Sequence, residues 1–135
     1  MQYSRGWFFL FVLVLLGCNR IDPPVDPVLQ AIMQQVNTHQ KVVDMRNIAG
    51  DEWEKVCFFG PYTLNAKDVL GLDWELSTHA PISDDMIDTI VFASSTEVIR
   101  YVISPGRSFR GLAGRCFPKQ NALFTLDATG RAYMH

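Results

Sequence analysis

The 135-residue chain lacks every short signature that would announce catalysis. It has no GxSxG elbow, no HExxH helix and no glycine-rich loop to cradle phosphate. Its three histidines, His39, His79 and His135, stand 40 and 56 residues apart, and none of its three cysteines has a partner at CxxC spacing. A metal site is usually visible as two ligands at short spacing, so neither a metal nor a cofactor is expected. No internal repeat or low-complexity tract occurs, which argues against a solenoid. No apolar run reaches the roughly 20 residues needed to cross a bilayer as a helix. A formal net charge of −2 gives no broad attraction to polyanions, so nucleic acid is not an expected partner.

What is present begins at the first residue. Arg5 is the only charge before position 18, and Trp7 to Leu16 is an unbroken apolar run of ten, followed by Gly17 and Cys18. A short basic start and an apolar core of this length fit a secretory signal. Leu15-Leu16-Gly17-Cys18 resembles the lipobox of bacterial lipoproteins, with Leu16 where Ala or Ser is commoner. That resemblance implies a signal peptide over 1–17 and a lipid-carrying Cys18 as the new N-terminus. Several acyl chains, at about 0.8 kcal/mol per buried methylene, give lasting attachment. It also implies a bacterial cell-envelope location. Asn19, in place of Asp, favours the outer membrane facing the periplasm in a two-membrane host, and the cell membrane otherwise. An ordinary cleaved signal or a short uncleaved anchor are the alternatives.

Cleavage before Cys18 leaves 118 residues with 11 basic and 14 acidic side chains, hence −3. That is one domain by size. Two cysteines then remain, Cys57 and Cys116. In an exported domain a disulfide persists. Closing a loop of about 60 residues, it stabilises by ~4 kcal/mol in the chain-entropy model. Two buried thiols, or a reactive Cys116, are the other readings.

The prolines and absent periodicity of 18–26 predict an extended tether, leaving 27–135 as the folded domain. Asp26-Pro27 has the chemistry of a helix start. Val28, Leu29, Ile32, Met33 and Val36 form one apolar stripe to about Asn37, with Gln30, Gln34 and Gln35 opposite. Lys41 to Ile48 alternates as a strand, with Val43 and Met45 inward. Val56 to Phe59 is continuously apolar, as expected of a strand covered on both faces. Thr63 is placed to cap a short helix that Gly71 ends. Asp88 to Ala93 and Glu97 to Ile103 flank a short polar connector and predict a hairpin. Arg107 to Gln120 shows little regular pattern and reads as a long loop stapled by Cys116. Asn121 to Asp127 and Arg131 to Met134 predict a second hairpin with Gly130 in its turn. The fold class is α+β: an antiparallel sheet of five or six strands, with the first helix and one short helix on one face. Trp53 to Trp74, with Trp53-Glu54-Lys55, Phe59-Gly60-Pro61-Tyr62 and Leu70-Gly71, is similar to stretches of small bacterial lipoproteins of uncharacterised function. That similarity implies no activity.

One asymmetry points to a job. Between Glu97 and Asp127 there is no acid, while Arg100, Arg107, Arg110, Arg115 and Lys119 all fall there, interleaved with Phe109, Leu112 and Phe117. Arginines beside aromatics bind carboxylates, phosphates and protein partners. Arg100, Arg107, Phe109, Arg110, Arg115 and Lys119 are the candidate binding surface. The competing reading pairs these cations with the domain's own acidic turns and buries the aromatics. The expectation is a non-catalytic envelope binding module, of accessory or inhibitor/immunity type. Its partners would be the membrane through its lipid and an envelope protein or anionic envelope ligand. The alternative is a small envelope hydrolase using Cys116, with His79 as its base, or an acidic pair from Asp51, Glu52 and Glu54 or from Asp84, Asp85 and Asp88.

Overall fold

The computed structural model describes residues 26–38 and 40–134. The expected signal peptide over 1–17, Cys18, nearly all of the expected tether, His39 and His135 lie outside the described residues.

Asp26 accepts hydrogen bonds from the Val28 and Leu29 amides at 2.8 and 3.4 Å and so caps α1, Pro27–Asn37. Burial presses its carboxyl toward the neutral form. The Val28 amide, the Arg100 guanidinium and the Leu29 amide outweigh that and hold it below the usual carboxylate range. Val28, Ile32 and Val36 face the core. Gln35, expected on the polar side, instead clamps the next strand: its side chain accepts from Asp44 N and donates to Asp44 O at 2.7 and 3.0 Å. That strand is β1, Val42–Asp44.

The strands divide between two antiparallel sheets. The larger has the order β4-β3-β2-β5, with β2 at Lys55–Phe59, β3 at Ile87–Ala93, β4 at Val98–Pro105 and β5 at Arg115–Pro118. The smaller has the order β1-β6-β7, with β6 at Leu123–Leu126 and β7 at Ala132–Tyr133. The fold is α+β. Among the described residues seven strands form sheets of four and three in place of one sheet of five or six.

Period-two alternation decides what each face of the larger sheet meets. Val56, Phe58, Ile90, Phe92, Val102 and Phe117 point to the core shared with α1 and the smaller sheet. Phe58, Phe117 and Phe124 meet edge to face there at 5.1 to 5.9 Å. Such pairs contribute about 0.5–1.5 kcal/mol each beyond area burial. Cys57, Phe59, Val91 and Ala93 point the other way, under α2, Ala66–Leu70. The two helices therefore lie on opposite faces, not on one, because β2 and β3 are apolar on both sides and each side needs a cover.

Gly71, at φ 69°, ends α2 in the left-handed conformation. Thr63 does not cap α2; its hydroxyl donates to Gly60 O. The Lys55 ammonium donates to Leu70 O at the end of that helix. The stretch expected to be an irregular loop contains β5, with 3₁₀ turns Arg110–Leu112 before it and Lys119–Asn121 after it. Cys116 faces Cys57 directly across the β2–β5 ladder, and the two are disulfide-bonded with Cα atoms 4.0 Å apart. Among the described residues no helix is long and apolar enough to cross a membrane.

Candidate functional site: an arginine-lined cleft

The turn Arg110–Leu112 lies against β7. The Ala132 amide donates to Ser108 O at 2.6 Å, and a β-carbon on Gly111 would meet Ala132 O at 3.3 Å. A side chain there would press on that carbonyl, so glycine eases this approach. It brings Arg107 and Arg110 up to Arg131, and the three arginines line one cleft of about 440 Å³ with Gly111, Asp127 and Tyr133. Sites for small ligands fall in the same size range.

Each arginine is held differently. Arg110 is fixed from below: its Nε donates to Asp88 Oδ1 at 2.9 Å and Nη2 donates to the Asp85 carbonyl at 2.9 Å. Asp88 is only 2% exposed, and its second oxygen has no hydrogen-bond partner, so that carboxylate relies on Arg110 for its neutralisation. Arg107 is about half exposed and approaches Asp85 only to 3.8 Å. An exposed pair at that distance is worth little.

Arg131 has its backbone clamped. Its amide donates to Asp127 Oδ1 at 3.0 Å and its carbonyl accepts from Asp127 N at 2.9 Å. The same carboxylate oxygen accepts from the Thr129 hydroxyl and amide at 2.6 and 2.8 Å. The Thr129 hydroxyl and the Arg131 amide hold the Asp127 carboxyl below its usual range, so it is ionised at neutral pH. Among the described residues the Arg131 guanidinium makes no direct ion pair, although the Asp127 carboxylate acts on it through its charge. The turn chemistry thus presents a cation on a rigid backbone.

The six residues singled out in the sequence do not form one surface. Arg107 and Arg110 reach the cleft. Phe109 is fully enclosed against Phe58 at 5.5 Å and has no surface to offer a partner. Arg100 pairs with Asp26 at 2.9 Å and pins the start of α1 to β4. Arg115 lies over the Phe117 ring at 5.0 Å. Lys119 donates to Gly50 O at 3.2 Å and covers the Trp53 ring at 4.8 Å. Arg131 was missed because it lies beyond Asp127, where the acid-free stretch stops. Its signal was positional: the first residue after a tight turn that folds back on the basic segment.

No protein-family model, curated protein or solved structure matches the chain. Chemistry must therefore be read from the side chains. The Cys116 sulfur is bonded to Cys57 and offers no thiol. The His79 ring stacks on Trp74 at 4.6 Å and tilts against Tyr101 at 5.2 Å. Of the second acidic group, Asp84 caps the Met86 amide, Asp85 faces Arg107 and Asp88 is bound by Arg110. Among the described residues no three His, Cys, Asp or Glu side chains gather as metal ligands. What the cleft can do is hold an anion by charge-assisted hydrogen bonds.

Proposed function

We propose that the chain is a lipid-anchored protein of the bacterial cell envelope whose folded domain is a non-catalytic binding module. It is tethered through Cys18 and engages an envelope protein or an anionic envelope ligand through the arginine-lined cleft. The observation that carries this reading is the convergence of Arg107, Arg110 and Arg131 on one concave site. The lipobox Leu15-Leu16-Gly17-Cys18 supplies the anchor, and a structural disulfide suits an oxidising compartment outside the cytosol. Asn19 directs it to the outer membrane facing the periplasm in a two-membrane host, and to the cell membrane otherwise.

The direct test is native co-purification from detergent-solubilised envelopes, comparing the natural protein with an Arg107→Ala/Arg131→Ala variant. A specific partner or ligand is expected with the first and not with the second. Recovery of the same companions by both, or of none by the natural protein, contradicts the reading.

A further inference from the structure

We infer that the cleft takes the phosphate group of a soluble ligand, not the headgroups of the membrane that anchors the protein. The charge arrangement selects the chemistry. Arg110 already has its Nε and Nη2 engaged by Asp88 and Asp85, which leaves Arg107 and Arg131 as the cations for a ligand. They come from different segments, one before β5 and one at the start of β7. A carboxylate is satisfied by a single guanidinium fork, with two oxygens and one charge. A phosphate monoester carries about −1.5 to −2 charge and three acceptor oxygens, enough for two arginines at once. Asp127 also lines the cleft, but its Oδ1 is turned to Thr129 and Arg131 amides. Its remaining negative charge opposes any anion, so binding there rests on the two guanidiniums acting together.

The topology selects the source, and this step rests on the proposed anchor. The described chain starts at Asp26, which is bound to Arg100, and Arg100 is opposite Phe92 in the β3–β4 ladder. Asp88, the partner of Arg110, sits four residues away along β3. At about 3.3 Å per residue these points are roughly 13 Å apart. α1 runs the same way, from Asp26 at Arg100 to Met33 at Ser104. The chain therefore arrives at one end of the sheet and the cleft opens at the other. The expected tether over 18–26 joins at the arrival end, so the cleft lies roughly 13 Å farther along the sheet from the lipid attachment than Arg100 does.

The test uses the full protein purified from envelopes in non-ionic detergent. Calorimetric titration with inorganic phosphate is compared with acetate at matched ionic strength, and with sedimentation on phosphatidylglycerol and phosphatidylcholine vesicles. Phosphate is expected to bind at least tenfold more tightly than acetate. Arg107→Gln and Arg131→Gln, both at exposed positions, are each expected to weaken it about tenfold without moving the thermal transition. Phosphate binding unchanged in both variants, or no tighter than acetate, or absent from a correctly disulfide-bonded sample, overturns the inference. Arginine-dependent sedimentation with phosphatidylglycerol vesicles but no binding of free phosphate overturns it in favour of a membrane surface. The anchor is read separately from the mass of the N-terminus in the same sample. Phosphate binding by an unlipidated chain would sink the anchor and keep the cleft; the reverse result would sink the cleft alone.

Discussion

Arg110 shows how a single side chain joins stability to the site. Its guanidinium neutralises Asp88, a carboxylate 2% exposed whose other oxygen has no partner, and at the same time forms the floor of the cleft. Removing it leaves a buried charge unanswered. Arg110→Ala is expected to cost about 3 kcal/mol in urea unfolding, the low end for a broken buried pair because Arg110 still reaches water. Arg110→Ala combined with Asp88→Ala is expected to recover part of that loss, since no orphaned carboxylate remains. A single variant as stable as the natural protein would show that Asp88 does not depend on its partner. At this scale the sequence was partly legible. The acid-free stretch contains Arg107 and Arg110, which line the cleft. Phe109 was misassigned to the surface because nothing local separates a buried phenylalanine from an exposed one in a segment without periodicity. Its burial follows from Phe58 and the rest of the aromatic core, all distant in sequence.

Elements whose signals are local were readable. Asp26-Pro27 carries the chemistry of a helix start, and the β3–β4 hairpin is two strand-prone runs around a polar turn. Strand β5 was not readable: it has four residues, ends in a proline, and is specified by its pairing with β2 and by the Cys57–Cys116 bond across the ladder. The division into two sheets was hidden for the same reason, since β1 and β6 pair across some 80 residues of chain. α1 offers a test at this scale. Asp26 both caps the helix and ties it to Arg100, and its carboxyl is held below the ordinary value. A depressed folded value means the stabilisation is complete above the unfolded carboxylate's roughly 3.9 and is lost as pH falls through the lower folded value. Asp26→Asn keeps a capping residue but loses the charge. At pH 7 it is expected to lower stability by about 0.5–1 kcal/mol, a modest figure because both partners are more than a third exposed. Near pH 2 the difference is expected to shrink toward zero. A difference that stays constant from pH 7 to pH 2 would contradict the ionic role.

For the whole molecule, the disulfide, the two cores and the cleft form one arrangement. Cys57–Cys116 closes a loop of sequence separation 59 that contains α2, β3 and β4. Shortening the unfolded chain in this way contributes ~4 kcal/mol in the chain-entropy model. That is a large part of the roughly 5–15 kcal/mol by which ordinary domains are stable. It locks β5 beside β2, and with it the turn that carries Arg107 and Arg110 to β7. The sheet then has a direction: the chain arrives beside Arg100, and the arginine cleft opens at the far end. The proposed envelope role depends on the protein being held at a membrane by Cys18, whereas anion binding by the cleft does not. The most direct measurement is the intact mass of the protein extracted from bacterial envelopes, followed by sequencing of its N-terminal peptide. The expected result is a chain beginning at Cys18 with diacylglyceryl and acyl groups on that residue, and Cys57 linked to Cys116. A chain that keeps residues 1–17, or begins at any residue without lipid, would contradict it.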